Sequence, residues 1–315
     1  MKKLFLTMVA LVVATMSYAQ NTLVATLSHG EDISMFYGAY ALRDAMNAAV
    51  SGDVINLSGG SFQAVDITKA ISLRGTGIDD KNPTYIINNF YINIPAEDTN
   101  RLSMEGIRCT NTINMSGIFN NPCFYKCQFR YLSAGHGTSI KNITFVNCKI
   151  TERLDVYGTS TIQGINSYVT NLSTGESTNN NFINSILFFP SSQPYLKSAN
   201  CCLFVNCIIT HSTEARYWDY WSLPSTSQNH HSVIAGPQNL FKDFTGTYSD
   251  DQTFELTDEA KAQYLGNDGT EVGIHGGVMP YDSTPSYPQI TKMNVANKTT
   301  ADGKLSVEIE VSAKE

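Results

Sequence analysis

The hexapeptide Phe145-Val146-Asn147-Cys148-Lys149-Ile150 returns almost unchanged as Phe204-Val205-Asn206-Cys207-Ile208-Ile209. Looser copies occupy Phe124–Phe129 (FYKCQF), Gly164–Val169 (GINSYV) and Phe182–Leu187 (FINSIL), with a weaker one at Met104–Cys109 (MEGIRC). Their fourth positions, Ile107, Cys127, Cys148, Ser167, Ser185 and Cys207, are spaced by 20, 21, 19, 18 and 22 residues. A period near 20 residues held over six copies is the signature of a solenoid. Within the phrase the first, fourth and sixth positions are mostly apolar or small and the second and fifth vary, which is the pattern of two short strands meeting at the third residue. Asn147, Asn166, Asn184 and Asn206 fill that third position, and Asn tolerates the left-handed backbone a one-residue corner demands. No long helical pattern separates the copies. The unit is therefore a rung of an all-β parallel β-helix, right-handed by the general rule for crossovers between parallel strands.

Stacked rungs predict columns of like residues. Phe124, Phe145, Phe182 and Phe204 are expected to align inside, as are Cys127, Cys148 and Cys207 with Ser167 and Ser185. The corner asparagines are expected to form a ladder, each amide bonding the next. The residue after each marker points outward: Arg108, Gln128, Lys149, Tyr168, Ile186 and Ile208. This column turns apolar along the rod, and with Phe188 its far end is too greasy for open water, so something must cover it.

Working outward to the N-terminus, Met1–Ala19 has the form of an export signal: Lys2-Lys3, an apolar core from Leu4 to Met16, and Ser17-Tyr18-Ala19 as a small-x-small cleavage site. It is short for a membrane span, and no later segment reaches the length of a transmembrane helix. The expected location is secreted, on the cell surface or in the periplasm of a bacterium. The formal net charge is −7, becoming −9 without Lys2 and Lys3, and only 16% of residues are charged. An acidic chain with no basic run is not built to hold nucleic acid or a membrane surface.

Residues from Asp32 onward read as the start of the coil. Ala39–Val50 is an amphipathic helix with Leu42, Ala45, Met46 and Ala49 on one face, ended by Ser51-Gly52. Gly52-Asp53-Val54-Ile55-Asn56-Leu57 and Ile71-Ser72-Leu73-Arg74-Gly75-Thr76-Gly77 then read as strands with glycine turns. In this helix-then-strand order, over roughly residues 40 to 280, the chain resembles the pectate-lyase-like superfamily of right-handed β-helices. That resemblance implies the fold and a capping helix over the open coil. It leaves chemistry undecided among lyases, hydrolases and non-enzymatic exported proteins.

Beyond Ile209 the regularity breaks. His211–His231 reads as a loop leaving the coil before a further rung near Ser232-Val233-Ile234, and it is the first candidate to cover Ile186, Phe188 and Ile208. Thr257–Leu265 reads as a short helix capped by Thr257 and stopped by Gly266. Gly266–Gly277 reads as a run of tight turns that closes the solenoid, so the β-helix is placed at residues 20–284. In residues 285–315, Ile290–Ala296 and Leu305–Val311 read as two strands around Ala301-Asp302-Gly303, a terminal β-hairpin or a small attachment module.

The loop also carries the best binding candidates: Arg216, Tyr217, Trp218, Asp219, Tyr220 and Trp221. Aromatic faces stack on sugar rings while Arg and Asp reach hydroxyls, so the expected partner is a polysaccharide or cell-surface glycan. The plainer alternative is that Trp218 and Trp221 pack on the outward apolar column. A lyase would need a basic residue close to calcium-holding carboxylates, and Lys149, Glu152, Arg153, Asp155 and Arg130 fall near one rung. A solvated charged face explains them more simply, because no neighbouring rung stacks further acids there. Without lyase chemistry no cofactor is implied. Hydrolysis of a polygalacturonase type would need Asp residues clustered across rungs, and none of the six phrases contains Asp. A structural or adhesive rod is the third reading. Of seven cysteines, Cys127, Cys148 and Cys207 fit an interior column as thiols, while Cys109, Cys123, Cys201 and Cys202 are candidates to include a bridge. No CxxC pair or HxxxH spacing suggests a metal site.

Overall fold

The computed structural model describes residues 23–79, 82–117, 119, 121–135, 140–175, 179–189, 199–211, 226–234, 240–244, 251–278, 280–281, 289–295, 298–300, 302–304 and 306–312. Within them the chain coils as a right-handed parallel β-solenoid of about seven turns. One sheet climbs through Val54–Leu57, Ser72–Arg74, Ser103–Glu105, Cys123–Tyr125, Ile143–Val146, Ile162–Ile165, Asn180–Ile183, Cys202–Val205 and Gln228–His230, all parallel. The second climbs beside it from Gly60–Gln63 to Val233–Ile234. The repeat has a seventh copy, Asn229 to Ile234, whose Val233 pairs with Ile208.

The columns form in the register that the spacing demands. Phe124 pairs with Phe145, and their rings stack at 5.2 Å and 16°. Phe182 pairs with Phe204, stacked at 5.6 Å and 18°. Gly164 stands between the two pairs, and a Cβ on it would come 2.7 Å from the Phe182 ring, so the break in the column makes room for its neighbour. Cys127, Cys148 and Cys207 are buried thiols beside the rings, and burial pushes Cys148 and Cys207 up to about 12, which keeps them protonated and unreactive. All seven cysteines are free, so Cys109, Cys123, Cys201 and Cys202 contain no bridge. Where Ser replaces Cys in the column, its hydroxyl reaches the rung below: the Cys148 amide donates to Ser167 Oγ (3.2 Å) and the Ser167 amide to Ser185 Oγ (3.1 Å).

The third position of every copy is left-handed: Gly106 (φ 64°), Lys126 (48°), Asn147 (51°), Asn166 (47°), Asn184 (49°), Asn206 (49°) and His231 (60°). Lys126 alone puts a long side chain with no local hydrogen-bonding option at that corner. A non-Gly, non-Asn residue there costs roughly 1 kcal/mol, so Lys126→Asn is expected to stabilise the protein by about 0.5–1 kcal/mol, read as a higher urea midpoint with an unchanged slope. No gain would mean that the Lys126 stem recovers the cost by packing.

The asparagine ladder, however, is not built from amide to amide. Asn147 Nδ2 donates to the carbonyls of Ile274 (2.7 Å) and Gly276 (3.0 Å), and Asn184 Nδ2 donates to Asn267 Oδ1 (2.9 Å). Gly266–Gly277 therefore does not close the end of the coil. It folds back along the corner column, where the Gly273 amide also donates to the Asn184 carbonyl (2.8 Å). For Asn147 the acceptors are main-chain carbonyls of this passing segment, and for Asn184 a side chain of the same segment takes that place.

At the other end the cap is larger than the sequence suggests. The helix runs Ala41–Ala48 and buries Ala41, Leu42, Ala45 and Met46. Asp32–Tyr37 does not begin the coil: it pairs antiparallel with Val24–His29, which pairs antiparallel with Val54–Leu57, so a hairpin covers the first rung. The expected helix near residue 260 runs Asp258–Gln263, with Thr257 Oγ1 accepting from the Ala260 amide (3.2 Å). Gln289–Val295 and Val307–Ser312 pair antiparallel as a separate two-stranded sheet.

Candidate functional site

The proposed sugar-contact residues Arg216, Tyr217, Trp218, Asp219, Tyr220 and Trp221 lie outside the described residues. The outward column that their loop was nominated to cover is occupied by another part of the chain. Tyr168, Ile186, Phe188 and Ile208 are buried in a second core with Leu240, Phe241, Phe254, Leu256, Val272 and Ile274. Phe254 lies flat on Tyr168 at 3.7 Å and 23°. The C-terminal segment thus forms a cover along the rod.

Lys149, read from sequence as solvated or as a candidate base, is at the polar end of that covered column and is 0% exposed. Its Nζ bonds Asp79 Oδ2 (2.6 Å) and the Gln252 carbonyl (3.2 Å), between the rings of Phe254 and Tyr281. Burial pulls its pKa down, opposed by the Asp79 carboxylate. It is a latch joining coil and cover, removed from solvent and from Arg153.

The remaining members of that predicted cluster do come together, on a different face. The strands of the second sheet bend at Arg130, where the register slips against both neighbouring rungs. Bulges of this kind re-aim side chains. Beyond the bend Tyr131 pairs with Arg153 and Ser133 with Asp155, and the outward positions become polar and aromatic. Asp155 is the centre. Its carboxylate is fully buried, accepting from Tyr131 Oη (2.7 Å), Tyr157 Oη (3.0 Å) and Arg153 Nε (2.7 Å). Burial, and after it Asp155, push Tyr131 up to about 12 and raise Tyr157, while the hydrogen bond to Asp155 raises Arg153 against its partial burial, so all three stay protonated donors near neutral pH. The Arg153 side chain is 48% exposed, and Arg130 and Glu152 pair beside it at 2.6 Å, both half exposed. Asn114 and Ser173 continue the Ser133–Asp155 column on either side, and Tyr91, 54% exposed, ends it.

The sequence analysis identified Arg153 and Asp155 but missed Tyr131 and Tyr157. The available signal was the period-two spacing Arg153, Asp155, Tyr157, which puts three polar groups on one face of a strand. Among the described residues no three His, Cys, Asp or Glu side chains gather as a metal site. No helix among them is long and apolar enough to cross a membrane. No protein-family model, curated protein or solved structure matches this chain.

Proposed function

We propose that the chain is an exported β-helix of the pectate-lyase-like kind that holds a polysaccharide along the strip beyond the bend, without cleaving it. The observation that carries this reading is the buried Asp155 carboxylate. Burying a charge is costly unless it is fully bonded, and here its bonds orient two phenol rings and a guanidinium at the solvent side of a rigid rod. Flat aromatic surface flanked by fixed donors matches a sugar, whose faces are apolar and whose edges are hydroxyls. A repeating scaffold suits a repeating ligand. Export is supported by the form of Met1–Ala19, and Trp218 and Trp221 remain a second proposed contact.

The lyase alternative is weakened on two residues. Lys149 is enclosed with Asp79, and Arg153 stands beside a carboxylate that makes it hold its proton more tightly, the reverse of what a base needs. For hydrolysis, Asp155 is enclosed by its donors and Glu152 is engaged by Arg130.

The test is binding of the protein to arrayed neutral and uronic-acid polysaccharides, with Tyr157→Ala, Arg153→Ala and Trp218→Ala plus Trp221→Ala alongside. Loss of one aromatic contact is expected to weaken binding about tenfold, the equivalent of ~1.4 kcal/mol. Failure to bind any polysaccharide, or binding that ignores both Tyr157→Ala and Arg153→Ala, would discard the strip. Unsaturated products appearing on incubation with uronic-acid polymers would replace the non-catalytic reading by the lyase one.

A further inference from the structure

The N-terminal hairpin ends the first sheet with Asp32–Tyr37, whose outer side pairs with nothing among the described residues. Its inner side is fixed against Val24–His29, and just past the strand the Gly38 amide donates to the Leu23 carbonyl (2.8 Å). Backbone groups alternate sides along a strand. With Gly38 bonded inward, Asp32, Ser34 and Phe36 turn their amides and carbonyls inward too, and Ile33, Met35 and Tyr37 turn theirs to the open edge. The same three residues expose large apolar side chains on one face, at 68%, 52% and 61%. Edge strands are usually blunted by Lys, Pro, a bulge or brevity. This one has six residues, an unbroken register and none of those devices.

We propose that this edge pairs with the same edge of a second copy of the chain, antiparallel about a two-fold axis at Met35. Such an axis perpendicular to the sheet keeps like faces together only when opposed residue numbers have an even sum. Opposing Met35 to itself sets Ile33 against the second copy's Tyr37 and uses all three outward residues of each copy. Sliding by one step either way sets Tyr37 against Glu31 or Ile33 against Ala39, both outside the strand. Charge does not oppose this arrangement. Glu31 and Asp32 of one copy then face the Gly38–Tyr40 end of the other, where Arg43, paired with Asp44 at 3.0 Å, stands over the Tyr40 ring at 4.1 Å. In-register parallel pairing would instead put Asp32 beside Asp32, which is unfavourable.

An interface built on one strand pair is small, so the dimer is expected to form over about 10–100 µM. Sedimentation velocity on the purified protein across that range should show a monomer–dimer equilibrium, and Met35→Lys should shift it at least tenfold toward monomer with an unchanged circular dichroism spectrum. Opposed residues in an antiparallel pair have Cα atoms about 5.5 Å apart, within disulfide reach. Met35→Cys should therefore give a covalent dimer on a non-reducing gel, whereas Ser34→Cys, opposed to Phe36 on the other face, should not. The unsubstituted protein serves as the blank. A monomer throughout the range overturns the proposal, as does a dimer indifferent to Met35→Lys or equal crosslinking at positions 34 and 35.

Discussion

Phe145→Ala is expected to destabilise the protein by about 3–5 kcal/mol, whereas Phe145→Leu should cost less than about 1.5 kcal/mol. Phe145 is 0% exposed, stacked on Phe124 and edge-on to Phe129 at 6.2 Å. Truncation removes a ring that two other rings rest on, and the neighbouring rungs cannot collapse into the space because each backbone is held at strand spacing above and below. In a solenoid the damage should also be local. Hydrogen exchange should quicken first in Cys123–Tyr125 and Ile143–Val146, the strands that pair at this level, with the N-terminal rungs near Val54–Leu57 less affected. Uniform loss of protection along the chain would argue against nearest-neighbour stacking.

Lys149→Ala is expected to cost about 3 kcal/mol, because it leaves the Asp79 carboxylate without its partner under the cover. Lys149→Met keeps the packing between Phe254 and Tyr281 and should recover part of that cost, while Lys149→Met combined with Asp79→Leu, which removes both charges, should be close to neutral or stabilising. These variants separate a packing role from an electrostatic one. Chemical denaturation gives the free energies, and limited proteolysis within Leu240–Tyr281 reports release of the cover. The pH dependence has a definite sign. Lys149 has a native pKa below its unfolded value, so between those two values the unfolded chain binds more protons and stability rises with pH. Alkali should tighten this part of the fold in the native protein and leave Lys149→Met unchanged by the same mechanism.

The inside of the rod was legible in sequence because it repeats: phenylalanines, Cys or Ser markers and corner asparagines recur at one period, and each falls on its column. The outside was legible only as a need. Ile186, Phe188 and Ile208 announced that something lies over them, but the cover has no periodicity, and its rings Phe241 and Phe254 reach the column only through tertiary folding. Lys149 was misread for the same reason, since its partner Asp79 is 70 residues away. A lone charge among outward positions is ordinarily solvated. At the candidate site Arg153 and Asp155 were visible as a charged pair. Tyr131 was not, because the slip at Arg130 moves it opposite Arg153 and no regular spacing encodes a bulge.

The stacking of rungs is tested most directly by double-mutant cycles on the phenylalanines, using Leu substitutions that leave the core filled. The pair Phe182 and Phe204, stacked at 5.6 Å, is predicted to show a coupling energy of about 0.5–1.5 kcal/mol, and Phe145 with Phe204, separated by intervening rungs, about zero. Equal couplings, or none for the stacked pair, would contradict the columns on which both the cover and the candidate sugar strip are placed.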